Sequence, residues 1–538
     1  MAATGKSEHT QRPSVRALGG MVSAAHPLAA RAGASLLDQG GNAFDAIVAT
    51  AAALNVTESY MSGFAGLGMA SCWVAAEKRV RTLDFITRVP EKFPVGSIAK
   101  GQTVNGPLAS GVPGNLAGWA KLQSTYGRKS LAEAFAPAIA LARTGFPITG
   151  FYLDMLAAVR GRPMSAEWAR IFPFGFEARR GMVLRQPDLA DTLEAIAQHG
   201  PGHLYGGALG RTMVDHLAAT GGCITLADLE AVDPQWEEPV TAEYRGLTVN
   251  VPPPPAESFQ FPLTLRLLAE TDFGAIEHLS ADHLDRVFRA IRLAAEIRIR
   301  SNKPSPDELQ TLLSEETLAP LRALLDSDAP VWGRTEQHAA GPLADGPRLN
   351  EHTTSFSAMD GEGNAVCITQ SLGSPFGSGV VVPGTGVCLN NFLNWGDLEP
   401  ASRNPLVPGG RYAMCLAPSI GTRDGEAVLA LGTPGSYGIM QTQSQAMVHL
   451  LDYGLELQAA IDAPRGRLFD GRLVNLESRV SPETTAALRQ RGHDVQPLGA
   501  FSWSCGGMHA IARDPATGAL EGAADSRRDG AAVAALTR

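Results

Sequence analysis

The chain has 538 residues, with 45 Lys plus Arg against 54 Asp plus Glu and a formal net charge of −9. That length exceeds one ordinary core, so two or more domains, or one large multilayer domain with room for a deep enclosed site, are expected. The modest acidic excess, without a long basic run, argues against nucleic acid or an anionic membrane as partner and leaves a small soluble molecule.

The N-terminal stretch, residues 1–16, is polar and lacks the apolar core of a signal peptide, and no apolar run is long enough to span a bilayer. A disordered N-terminal segment and a cytoplasmic protein are the expectations. Ala29 to Leu37 then reads as an alanine-rich helix ended by Gly40-Gly41, and Asn42 can cap a second helix over Ala43 to Leu54. The glycine-rich turn Ser62 to Gly68 leads into strand-like stretches at Met69 to Val74 and Val80 to Phe85. No Gly-Lys-Ser/Thr follows it, which excludes a phosphate loop.

Residues 115–232 read as mostly helical, clearest at Leu131 to Thr144, Pro187 to His199, Leu209 to Thr220 and Leu226 to Ala231. Tyr244 to Val251 reads as a strand stopped by the prolines at 252–255. Over Ala281 to Arg300, Leu284, Val287, Phe288, Ile291 and Ala295 share one helical face. From Asp326 to Glu351 the sequence is rich in Pro, Gly, Asp and Ala with little periodicity, the type of exposed connector on which backbone cleavage is tolerated. Beyond it, Thr354 to Met359 and Ala365 to Ser371 flank Asp360-Gly361-Glu362-Gly363-Asn364 as a β-hairpin, with Thr353 at the edge of a sheet. Six cysteines, at 72, 223, 367, 388, 415 and 505, form no C-x-x-C pair. No metal, other cofactor or disulfide framework is therefore expected, and most of these thiols read as buried small apolar groups.

The junction between connector and hairpin carries the chemistry. If the chain is cut between His352 and Thr353, Thr353 holds nucleophile and base on one residue. Its hydroxyl can attack an acyl carbon while the freed α-amine, with an unperturbed pKa of roughly 7.7 to 8.0, accepts the proton.

The surrounding blocks resemble the gamma-glutamyltranspeptidase family of N-terminal-nucleophile (Ntn) hydrolases through most of the chain. They include Gly40-Gly41-Asn42-Ala43-Phe44-Asp45-Ala46, Gly111-Val112-Pro113-Gly114, Gln186-Pro187-Asp188, Tyr244-Arg245-Gly246, Leu389-Asn390-Asn391, Ala417-Pro418-Ser419, Gly432-Thr433-Pro434-Gly435 and Asp452-Tyr453-Gly454. The resemblance implies an α+β fold, a four-layer αββα sandwich built from both fragments of a self-cutting proenzyme. The large fragment would be residues 17–352 with the connector at its end, and the small fragment 353–538. Partners would be the two fragments themselves, as one αβ unit or a dimer of such units, and a small amide substrate. The resemblance further implies Thr353 as nucleophile, Ser371 as its supporting hydroxyl, and the backbone amides of Gly435 and Ser436 as an oxyanion hole.

The substrate-binding positions depart from the family. The arginine that pairs a glutamyl carboxylate is replaced by Ile86, and Arg88 stands two residues on. If the strand continues, Arg88 points to the same face, displaced by about 6.6 Å. Positions that hold the α-ammonium read Phe392 and Trp395, and the serine pair before Ala417 reads Met414-Cys415. A buried ammonium without compensation costs several kcal/mol, and these side chains offer none. The expected activity is therefore an amidohydrolase for a small carboxylate-bearing amide without an α-ammonium, with oxamate as the specific expectation. The alternatives are a gamma-glutamyl transferase or glutathione hydrolase, a glutaryl-type (cephalosporin) acylase, and a noncatalytic binding protein on this scaffold.

Overall fold

The computed structural model describes residues 12–327, 329–336 and 352–536. At its centre lie two seven-stranded sheets whose pairings are all antiparallel. The first sheet runs in space Val15–Ala17, Leu520–Ala524, His509–Arg513, Glu426–Gly432, Ser419–Arg423, Leu247–Val251, Val240–Tyr244. The second runs Ala531–Ala534, Gly20–Ala24, Thr354–Asp360, Ala365–Ser371, Leu67–Val74, Arg79–Phe85, Gln235–Glu237.

The sheets face each other across Met21, Trp73, Met359, Cys367, Ile420, Ala430 and Ile511. Helices Pro27–Asp38, Ala43–Thr57 and Asn115–Tyr126 cover the outer face of the second sheet, in one apolar cluster with Phe356, Ala358, Val366 and Ile368. Helices Gln260–Leu268, Ala281–Arg300 and Gly438–Met447 cover the first, clustered with Val249, Val251, Leu429 and Leu431. The layers are therefore αββα, and the expected α+β sandwich is the observed one. Strand Thr354–Asp360 is buried on both faces, so its sequence lacks the clean polar alternation of a solvent-facing strand.

Local rules account for most helix ends. Asn42 Oδ1 accepts from the amides of Phe44 (3.0 Å) and Asp45 (3.1 Å), and Asp45 Oδ2 accepts from Asn42 N (2.7 Å), a reciprocal capping box. Helices Leu131–Thr144, Pro187–His199 and Ala281–Arg300 have the expected bounds.

Four readings differ. Tyr244–Val251 is not one strand but the end of a hairpin, Val240–Tyr244 with Leu247–Val251. The turn residues Arg245 (φ 51°) and Gly246 (φ 72°) are both left-handed, which matches the right-handed twist of the flanking strands. Within the N-terminal segment expected to be disordered, Val15 and Arg16 begin a strand against Leu520–Gly522, and Arg12 reaches the carbonyl of Arg528 at 3.0 Å. Strand Thr354–Asp360 is interior, since its second half pairs with Gly20–Ser23 as well. Thr353 stands at a strand end, not along a sheet edge. The start of the connector is also tied down, because the amides of Thr335 and Glu336 both donate to Asp470 Oδ1 (2.7 and 3.0 Å). Residues 337–351 of the connector lie outside the described residues.

Candidate active site

The hairpin register sets the first two site residues. Thr354 pairs with Gln370, so Thr353 comes opposite Ser371 at the mouth of the hairpin. The chain is continuous through His352-Thr353, and the carbonyl oxygen of His352 accepts hydrogen bonds from Thr353 Oγ1 (2.7 Å) and Ser371 Oγ (2.7 Å). Ser371 Oγ is itself fixed by the amide of Gly373 at 2.9 Å. The Thr353 hydroxyl thus lies beside the His352-Thr353 peptide, and a second hydroxyl, Ser371 Oγ, donates to the same carbonyl oxygen. The Thr353 carbonyl accepts from Arg528 Nη1 at 3.1 Å.

His352 is almost fully buried and stacks on Trp503, with ring centroids 5.4 Å apart and planes 28° apart. Burial, with the charges of Arg528 and Arg162 beside it, pushes its imidazole down to about 3, so the ring is neutral. Two roomy surface clefts lie elsewhere, one of ≈500 Å³ at Asn42 and Arg128 and one of ≈530 Å³ at Lys121 and Tyr205.

The turn expected to form the oxyanion hole follows a strand of the first sheet. After strand Glu426–Gly432 the chain turns through Gly435 (φ 125°) and Ser436 (φ 57°) into helix Gly438–Met447. Left-handed backbone at a serine is uncommon and is sustained only where the surroundings hold it. Here Gly438 N donates to Gly435 O (2.9 Å) and Ile439 N to Ser436 O (3.0 Å). Thr433 Oγ1 accepts from Gly507 N at 3.2 Å, tying this turn to the loop that carries Trp503. Amides at a turn entering a helix form a ready anion site.

Phe392, Trp395, Met414 and Cys415 are all buried and belong to one apolar cluster with Ile86 and Tyr437. Asn390 and Asn391 hold the approach to Phe392. Asn390 Oδ1 accepts from Phe392 N (3.1 Å) and Gly111 N (2.9 Å), and Asn391 Oδ1 accepts from Ser374 N (2.8 Å). Trp395 packs on Tyr437 with centroids 5.8 Å apart. The acid beside this wall, Glu257, donates its amide to Met414 O (2.8 Å), while its carboxylate is paired with Arg298 Nη1 at 2.7 Å. Arg298 also lies 4.2 Å over the Tyr437 ring. The Glu257 carboxylate beside Met414 is therefore already paired, through Oε1, with a buried guanidinium.

The structure corrects the reading of Arg88. The strand ends at Phe85 and Ile86 turns away with its amide on Asp84 Oδ1 (2.8 Å), so the same-face argument does not apply. The Arg88 guanidinium reaches Gly409 O at 3.4 Å and lines a small depression with Asp84, Pro113 and Arg411. Among the described residues it makes no hydrogen bond to Thr353, Ser371 or the Gly435-Ser436 turn. Conversely, sequence reasoning missed Glu58, Trp503 and Arg528, which the fold brings from three distant stretches against Thr354, His352 and Thr353 respectively. An isolated acid closing an alanine-rich helix and the pair Arg527-Arg528 were the available signals.

A buried threonine with a serine hydroxyl beside it at the end of one sheet, and a glycine-containing turn at the end of a strand of the facing sheet, in an αββα sandwich, fit an Ntn-type amidohydrolase. The gamma-glutamyltranspeptidase family model matches residues 29–535, and the chain belongs to that family. It is 35% identical over 537 residues to the Acylase ACY 1 proenzyme of Pseudomonas sp. (strain SE83), covering 96% of this chain and 93% of that one. It is 30% identical over 538 residues to the glutathione hydrolase proenzyme of Bacillus subtilis (strain 168), covering 96% and 91%. The crystal structure of a cephalosporin acylase from Bacillus halodurans superposes with a TM-score of 0.87 at 30% identity, over 99% of this chain and 98% of that one.

Proposed function

We propose that this protein cuts itself between His352 and Thr353 and then hydrolyses amides whose acyl group carries no α-ammonium, as an acylase. In the first step Thr353 Oγ attacks the His352 carbonyl carbon, the peptide C–N bond breaks as the hydroxyl proton passes to the departing Thr353 nitrogen, and water hydrolyses the resulting ester to release the His352 carboxylate and the Thr353 hydroxyl. In turnover that amine takes the hydroxyl proton, Thr353 Oγ attacks the substrate amide, and the amides of Gly435 and Ser436 receive the oxyanion. The leaving amine departs with the proton and water releases the acid.

The observation that carries the substrate reading is the buried wall of Phe392, Trp395, Met414 and Cys415 beside a Glu257 already paired with Arg298. The carboxylate there, Glu257, is already held through Oε1 by Arg298, whereas each methylene buried against such a wall gains about 0.8 kcal/mol. Oxamate has no methylene to bury. A longer dicarboxylic acyl chain of the glutaryl type fits the wall better, and the likeness to the two acylases supports it over oxamate.

Mass spectrometry of the purified protein should give two fragments meeting at Thr353, and Thr353→Ala should stay full-length and inactive. On the cut enzyme, kcat/KM is expected to fall in the order glutaryl anilide, oxamate, gamma-glutamyl anilide. A gamma-glutamyl anilide turned over faster than the glutaryl compound would replace this reading with that of a glutathione hydrolase.

A further inference from the structure

Glu58 is a buried acid that this mechanism leaves unused. It caps the C-terminal end of helix Ala43–Thr57, where its amide donates to Leu54 O at 2.8 Å. A carboxylate at a helix C-terminus opposes the helix dipole, and one that is 1% exposed also loses its hydration. Neither placement stabilises the fold. Yet Thr354 Oγ1 donates to Glu58 Oε2 at 2.8 Å, and Tyr60 OH stands 3.5 Å from Oε1. On the other side, Arg528 Nη1 holds the Thr353 carbonyl at 3.1 Å. Residues 353 and 354 are thus gripped by an acid on the side chain of one and a base on the backbone of the other.

We infer that Glu58 is a positioning residue for the nucleophile: through Thr354 Oγ1, and with Arg528, it fixes the start of the nucleophile strand so that Thr353 Oγ meets the acyl carbon. The inference rests on reading Thr353 as the nucleophile. The groups facing the Glu58 carboxyl are Thr354 from the strand, Tyr60 from its own loop, and Arg528 and Asp529 from the C-terminal segment. Burial is the largest influence and raises this carboxyl from the ordinary 4.5 to about 7, with Arg528 pulling it down and Asp529 pushing it up. The hold on Thr354 therefore weakens as pH falls through neutrality. A raised acid also costs the fold stability once it ionises, so that the cost is present above about pH 7 and fades as pH falls toward 4.5.

Glu58→Gln keeps an acceptor for Thr354 and removes the charge. On the cut enzyme it should lower kcat by about tenfold to a hundredfold with KM within about twofold, and raise Tm at pH 8. The acid limb of kcat/KM should lose one proton, leaving only that of the terminal amine. Thr354→Val should show the same kcat loss, and Thr354→Ser should restore it. Should Glu58→Gln not fold, the Thr354 pair carries the test alone, read as the kcat split between Val and Ser. A wild type not cut at Thr353 overturns both the proposed function and this inference. A wild type that is cut and active, with Glu58→Gln or Thr354→Val matching it in kcat and pH profile, overturns the inference alone.

Discussion

Ser371 Oγ reaches the carbonyl oxygen of His352 at 2.7 Å, while the amide of Gly373 fixes that hydroxyl from behind at 2.9 Å. A donor aimed in advance at an oxygen that will become negative is worth about 2.7 to 4 kcal/mol, or roughly 100- to 1,000-fold in rate. Ser371→Ala should therefore slow self-cleavage by about that factor, followed as the loss of full-length chain over time, whereas Ser371→Thr should keep most of the rate. Thr353, Ser371 and the Gly435-Ser436 turn could be named as candidates from sequence, because each belongs to a local block. Glu58 could not, since its partner Thr354 lies 296 residues away and no local pattern joins them. Arg88 was misread for the converse reason: the strand that would have aimed it stops at Phe85.

At the level of elements, the hairpin sets the site by register. Thr354 opposes Gln370, and a slip of one residue would turn both hydroxyl-bearing ends to the other face. Gly66 guards that register from the neighbouring strand. A Cβ built there would come within 2.1 Å of Ser371 O and 2.8 Å of Asn115 Nδ2, so backbone would have to move. Gly66→Ala is expected to cost about 1–3 kcal/mol of stability by overpacking and to slow self-cleavage, read from urea unfolding and the same cleavage time course. Helix bounds were legible because caps are local: Asn42 with Asp45 and Ser130 with Glu133 each close a capping box. The hairpin turn at Arg245-Gly246 was missed because arginine is not among the residues that ordinarily signal left-handed backbone.

Across the whole molecule, both sheets mix strands from before and after His352-Thr353, so a cut there leaves the fragments hydrogen-bonded to each other along several strands. A buried ion network anchors the last of these segments. Arg527 Nη1 pairs with Asp525 at 3.1 Å and its Nη2 with Glu477 at 2.5 Å, Arg465 also pairs with Asp525, and all four side chains are buried. This lock holds the C-terminal segment where Arg528 reaches Thr353. Removing one partner of such a network leaves an uncompensated buried charge and costs about 3–5 kcal/mol, so Asp525→Asn should unfold at markedly lower urea. The neighbouring guanidinium groups hold the Asp525 carboxyl well below its usual range despite burial. Its contribution is therefore complete above the unfolded value of about 3.9 and is lost as pH falls through the lower folded value. Wild type should lose stability on acidification more steeply than Asp525→Asn.

By itself the sequence pointed to the αββα class, through the motif blocks that carry the family resemblance, and named His352-Thr353 as a candidate junction, because caps, hairpin turns and motif blocks act over a few residues. Only the tertiary structure decided which charges meet. Glu257 with Arg298, Glu58 with Thr354 and Arg528 with Thr353 join residues from distant stretches, and burial sets the strength of each pairing. Whether a carboxylate is already held by an arginine is a property of that packing, and the Glu257–Arg298 pair is the part of the substrate proposal that the sequence could not supply.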